Sequence, residues 1–257
     1  MSDASLANEV IRDAMLVFAE NVQPGKSVPF GGVFALVTGV PHPNFTSTWM
    51  VHDDVDPDDL RAGLVYLADT GFVYSACIRS SVDEHLTGVL ADRGFVKIYP
   101  TPTLLTRSPS GLPWPNELER VSGTLTLDDH RYLLEKAFDM SSEMVDGWVT
   151  EPLLADDRLT VVVGRKNGVP VTTAAGVRVG DALAVFNVAT LPAHRGKGFG
   201  AAATAAIVDA GFDDGVGTVV LQSSDIGLSV YQSLGFEIVM HHERWGFPDQ
   251  YRSHGDI

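Results

Sequence analysis

A single cysteine, Cys77, excludes any disulfide within the chain. The fold must therefore stand without covalent staples, and a reducing compartment is its natural setting. Cys77 lies in the strand-like run FVYSACI, where a buried structural thiol is the expectation rather than a nucleophile. No apolar run approaches the ~20 residues that a membrane-spanning helix needs. The first residues are acidic and amphipathic (Asp3, Glu9, Asp13, Glu20), and no basic segment precedes an apolar one, so no signal peptide is read. A cytoplasmic protein is the expectation. Basic residues are scarce as well, 18 Lys and Arg against 33 Asp and Glu, for a net charge of -15. That balance argues against nucleic acid and against anionic membranes as partners. It reads as a solubilising acidic surface, and it would also attract a cationic substrate.

The 257 residues allow one large domain or two small ones. Helical periodicity runs from Leu6 to Val22, followed by strand-like runs at Gly32 to Val40 and Phe45 to His52. Asp53, Asp54, Asp56, Asp58 and Asp59 lack the glycine and the closing glutamate of a calcium loop. Asp56 instead reads as an N-cap, with Pro57 first in a helix running to about Ala68. A strand at Phe72 to Ile78 leads to a helix opened by Ser81 and Glu84, spaced as a capping box and ending at Gly94. Phe95 to Thr106 looks extended. SPSGLPWPN, from Ser108, is the one proline-dense stretch and marks the boundary between two halves.

The second half opens with a strand near Leu118 to Val121. Helices follow at Thr126 to Phe138 and about Ser142 to Thr150. Strands at Arg158 to Gly164 and Val169 to Val179 are joined by Lys166, Asn167 and Gly168, a hairpin signal. An apolar run, ALAVFNVAT from Ala182, then enters a glycine-rich turn and an alanine-rich helix. Strands near Gly217 to Gln222 and Phe236 to Arg244 flank a helix at Asp225 to Leu234. LADRGF near Leu90 is echoed by YQSLGF at Tyr231, a helix handing over to a strand through Gly-Phe in both halves. The echo suggests a degenerate duplication.

A strand feeding a glycine turn on a helix N-terminus is an anion-binding device, because free amides and the helix dipole favour phosphate. Gly196 and Lys197 are followed by Gly198 rather than Ser or Thr, so this is no P-loop. Gly196, Gly198 and Ala201 fit a dinucleotide pattern. However, too little chain follows Gly200 to complete that fold, and Gln222 and Ser223 stand where the ribose-binding acid belongs.

Arg195 to Gly200 instead match the pattern [Q/R]xxGx[G/A], with Tyr231 and Gly235-Phe236 following on a helix and its exit. From about Thr124 to Trp245 the chain resembles the GNAT superfamily of acyl-CoA-dependent N-acyltransferases. TGVPHPNF near Thr38 and the LADRGF echo look like a second, degenerate GNAT-like half. The resemblance implies a mixed α/β fold, with a central sheet passing from antiparallel to parallel and flanked by helices. It implies two tandem halves, residues 1–110 without a cofactor motif and residues 117–257 as the N-acetyltransferase domain. It implies acetyl-CoA as co-substrate and no metal.

By the same resemblance, the backbone of Val188, Ala189 and Thr190 pairs with the pantetheine arm, and the Val188 amide polarises the thioester carbonyl. Arg195, Gly196, Lys197, Gly198, Phe199, Gly200 and Ala201 hold the pyrophosphate. Tyr231 is the general acid. Ser224 stands where many relatives carry a cofactor-contacting Asn, and helix capping explains it equally well. No general base is assigned. Asn187 occupies the place of a carboxylate; Glu151, Asp157 and His130 are candidate bases that read more readily as surface or capping residues, and His194 reads as exposed. His241 and His242 are adjacent, a poor spacing for one metal. The acceptor is a small-molecule or peptide amine, the chain a monomer or homodimer, and Asn44, Trp49 and Trp148 line the acceptor side. The alternative function is an acyl-CoA-binding sensor with weak or no transferase activity.

Overall fold

A computed structural model describes residues 2–122 and 126–252. Thr124, where the family resemblance begins, lies outside the described residues. In chain order the strands are β1 (Lys26–Phe30), β2 (Val33–Val37), β3 (Ser47–Met50), β4 (Ser75–Arg79), β5 (Val96–Thr106) and β6 (Glu119–Ser122). They continue as β7 (Leu159–Lys166), β8 (Val169–Val179), β9 (Ala182–Thr190), β10 (Thr218–Gln222) and β11 (Glu237–Gly246). All join one sheet in the order β1-β2-β3-β4-β11-β5-β10-β9-β8-β7-β6. β3 with β4 and β9 with β10 run parallel, and the other neighbours run antiparallel. Each parallel pair is joined through a helix, the connection that parallel strands require. These are α2 (Pro57–Asp69) and α7 (Phe199–Asp213).

The order of elements repeats between the halves, but their last strands are interleaved. β5, from the first half, lies against β10. β11, from the second, sits between β4 and β5.

Alternation along the strands sends successive side chains to opposite faces. Leu105, Val220 and Ala184 join a core beneath α1 (Asp3–Glu20) and α5 (Ser142–Trp148), whereas Leu104, Val219 and Leu183 pack with α7 on the other face. The first core belongs to both halves. Phe18, fully buried, stacks on Trp148 with ring centroids 4.2 Å apart, and Trp49 and Cys77 lie in the same cluster. Burying a side chain such as Phe18 contributes roughly 1.5–3 kcal/mol.

Several expectations are met at residue level. The Asp56 carboxylate accepts from the Asp58 amide, and Pro57 opens α2. Asn167 and Gly168, both at positive φ, make the turn between β7 and β8. The capping box at Ser81 does not form. Ser81 sits in the left-handed region at φ 66°, and the buried Asp83 carboxylate accepts from the Arg79 amide and guanidinium at 2.6–2.9 Å. That pairing closes the turn, and α3 (Thr87–Asp92) begins only after a short 3-10 segment at Glu84–Leu86. β1, with Pro29 in its middle, was not expected from the sequence, nor were the short helices α6 (Glu151–Ala155) and α9 (Pro248–Arg252). Among the described residues no helix is long and apolar enough to cross a membrane.

Candidate functional site

The parallel ladder between β9 and β10 stops early. Its register runs from Thr218 opposite Ala182 to Leu221 opposite Val185. Beyond Val185, β9 keeps β8 on one side and has no strand on the other among the described residues. The cause lies in β9 itself. Its pairing with β8 slips between Phe186 and Ala189, and Asn187 takes a left-handed conformation at φ 55°. Such a bulge bends a strand away from its neighbour, and asparagine is one of the few residues that accepts this backbone.

The splay leaves a cleft of about 630 Å³ that includes Phe186, Asn187, Val188, Gln222 and Tyr231 in its walls. Val188 and the free edge of Ala189 and Thr190 lead from it to the glycine loop. There Gly196 and Gly198 lie at φ 72° and 76°, and a Cβ on either would meet open space. Among the described residues the amides of Gly196 to Ala201 donate to no other group, and they gather at the N-terminus of α7. A concave row of free amides with its surface kept clear of side chains fits a pyrophosphate. Gly200 serves a different purpose, since a Cβ there would stand 3.2 Å from the Thr190 hydroxyl, so its hydrogen lets α7 approach β9.

The side chains of the loop are placed as braces. Arg195 Nε donates to the Thr190 carbonyl at 3.2 Å and its Nη2 to the Ala137 carbonyl at 2.9 Å, tying the loop to the end of α4 (Leu127–Phe138). Lys197 Nζ donates to the Ala193 carbonyl at 3.0 Å. Phe199 is buried with Leu118 and Val171 and anchors the start of α7. His194, expected exposed, is half-buried and stacks on the Phe199 ring. Ser224 holds the N-cap position of α8 (Asp225–Ser233), yet its side chain caps nothing.

Tyr231 projects from α8 into the cleft and is only 9% exposed. Burial pushes its phenol up to about 12, so it holds its proton throughout the physiological range. Gly227, one turn earlier, makes room for it: a Cβ there would stand 2.8 Å from Tyr231 Cε2. Gly227 belongs to no motif, and its one signal in the sequence is the cost of a glycine inside a helix, which calls for a packing reason.

His130 is not a surface residue. It is fully enclosed on α4, with Nδ1 2.8 Å from the Thr173 hydroxyl. That hydroxyl donates to the Val162 carbonyl, so Nδ1 carries the proton and Nε2 faces the Asn187 amide at 3.5 Å. Burial lowers its pKa to about 4, and His242, buried between Thr103, Gln222 and Asn8, falls to about 3. Both rings are neutral in the folded protein, whereas in the unfolded chain they titrate near the ordinary 6.5. The unfolded state therefore binds more protons below that value. The stability each ring contributes is full above pH 6.5 and is lost as the pH falls towards 4 for His130, at up to about 3 kcal/mol. Urea midpoints measured from pH 7 to 4.5 should fall, and His130→Gln should flatten part of that slope.

Cys77 is buried, and its thiol is pushed up to about 11, which leaves it unreactive. Glu151 and Asp157 are exposed and lie outside the cleft. Asn44, Trp49 and Trp148, expected on the acceptor side, all line it. Among the described residues no three His, Cys, Asp or Glu side chains gather as a metal site would need. The cleft does not share the acidic balance of the whole chain. Among its described lining residues Arg244 is the one cation, and Asp225, exposed at the start of α8, the one carboxylate.

A model of the acetyltransferase (GNAT) family matches residues 127–236. Among solved structures, the chain is similar to a GCN5-related N-acetyltransferase from Kribbella flavida, with TM-score 0.73, 22% identity and 96% of each chain covered. It is similar to another from Sphaerobacter thermophilus, with TM-score 0.62, 15% identity, and 83% of this chain and 76% of that one covered. A tandem GNAT protein from the clavulanic acid biosynthesis pathway aligns with TM-score 0.59 and 12% identity over 95% of this chain and 96% of its own. No curated protein matches the sequence. Residues 127–236 thus match the acetyltransferase (GNAT) family, in a chain whose fold is that of GNAT structures through both halves.

Proposed function

We propose that this protein moves an acetyl group from acetyl-CoA to an amine by direct attack. The observation that carries the reading is the unpaired edge of β9 beyond Val185. It runs from the cleft that Val188 and the buried Tyr231 line to the row of free amides at Gly196 to Ala201. In this reading the free edge from Val188 to Thr190 binds the amide groups of the pantetheine arm as an added strand would. The Val188 amide faces the thioester oxygen and stabilises the charge that develops there. The amine nitrogen bonds to the carbonyl carbon, the carbon–sulfur bond breaks, and the leaving sulfur takes the Tyr231 proton. The acceptor's own proton leaves to water, which restores the phenol.

The test is thiol release from acetyl-CoA in the presence of a mixed amine panel. Amine-dependent release supports the transferase. Calorimetric binding of coenzyme A without release from any amine would identify an acyl-CoA-binding module instead. Gly227→Ala offers a narrower check on Tyr231, because it displaces the ring without touching the glycine loop. Turnover should fall about tenfold or more, with coenzyme A affinity unchanged.

A further inference from the structure

Arg244 is buried to nine-tenths, and it opens into the cleft. On β11 it stands opposite Tyr99 of β5 and Cys77 of β4. Its neighbours are neutral. Nη1 donates to the Ser75 hydroxyl at 3.2 Å, the guanidinium lies 5.6 Å from the Trp49 ring centre, and the Tyr99 hydroxyl is a further hydrogen-bond partner. Cys77 and Tyr251, the remaining groups that bear on it, hold their protons. Among the described residues no carboxylate pairs with it. The other deeply buried arginine of this sheet, Arg79, shows the contrast, held by Asp83 and Asp53 at 2.6 and 2.7 Å.

A guanidinium has five N–H donors in a planar fork that matches a carboxylate. Burying it without a counter-ion costs several kcal/mol, and Arg244 stands in the wall of the cleft. Resting on the acetyl-transfer reading above, we infer that the acceptor is an amino carboxylic acid whose carboxylate pairs with Arg244. Three strand spacings separate β11 from β9, or about 14 Å. The acceptor's carboxylate therefore lies towards the first half of the chain, and its amine points to Val188. The aromatic walls between them, Phe45, Trp49, Tyr99 and Trp148, contact the carbon skeleton. The overall acidity of the protein has no bearing on this pocket. The acceptor is chosen by a local positive charge.

Calorimetry with the full chain and saturating coenzyme A tests the inference, using pairs that differ by one carboxylate. 4-(Aminomethyl)benzoic acid with benzylamine, 6-aminohexanoic acid with pentylamine, and 8-aminooctanoic acid with heptylamine keep amine and carboxylate at opposite ends of an aromatic or aliphatic spacer. In at least one pair the acid should bind about 100-fold more tightly than the amine, as expected for a desolvated charge pair. Arg244→Gln should remove that preference while coenzyme A binds as before, and the ligand-free variant should melt no lower than the parent, since an unpaired buried cation has been removed. Equal behaviour of acid and amine in every pair, including no response to either, overturns the inference. So does a preference that survives Arg244→Gln. Coenzyme A binding in the same instrument separates the two readings: its absence removes the acetyl-transfer site itself, and its presence without an acid preference removes only the carboxylate.

Discussion

Gly198→Glu is expected to abolish coenzyme A binding in calorimetry while the protein stays folded. Two effects act together. Gly198 lies at φ 76°, where a side-chain-bearing residue costs roughly 1–2 kcal/mol of strain. That is a fraction of the 5–15 kcal/mol that holds an ordinary domain together, so a normal circular dichroism spectrum with a modestly lower Tm should result. The Cβ itself meets nothing within 4 Å, so the new side chain has room to stand beside the free amides of Gly196 to Ala201. A carboxylate there takes the volume of a phosphate and repels it. Affinity should drop by more than about 100-fold, since both the amide contacts and the favourable dipole are lost. Retained binding would show that the loop does not hold the pyrophosphate, whatever the family pattern implies.

Tyr231→Phe should have the second large effect, and on a different parameter. Tyr231 lines the cleft and its ring packs against Gly227 and Phe236, so the variant keeps the packing and loses only the proton donor. Turnover with an accepted amine should fall by about 10² to 10⁴, the range for a lost general acid, while coenzyme A affinity stays within about twofold. The phenol sits near 12 rather than the usual 10. A raised pKa keeps the donating form present to higher pH, so the alkaline limb of the wild-type profile should not fall at pH 10. Unchanged turnover in the phenylalanine variant would remove Tyr231 from the mechanism.

The parts of this fold legible in sequence are those decided by neighbours along the chain. Asp56 and Pro57 start α2 through their own geometry, Asn167 and Gly168 turn the hairpin, and the glycine loop announces itself through residues that must take positive φ. What stayed hidden depends on distant partners. Ser81 and Glu84 have the spacing of a capping box, but Arg79 claims Asp83 and the backbone follows that ion pair. His130 reads as a helix-surface residue until β8 and β9 enclose it. Arg244, within HHERWG, resembles any polar strand residue. Its isolation follows only from β11 lying between β4 and β5. Net charge misled for a related reason: it sums a whole surface, whereas recognition samples one buried wall.

The interleaved strands bear on how the molecule comes into being. As the chain leaves the ribosome, β4 emerges early, yet its neighbour β11 is the last of the described strands to be made. Until then β4 presents an open edge, a hazard for mispairing with other chains. Pairings such as Cys77 with Arg244 also close a very long loop, which slows folding. The guanidinium of Arg244 reaches the cleft with that final strand. A nascent chain that has not yet made β11 lacks Arg244, so its pocket stays incomplete until that strand is added.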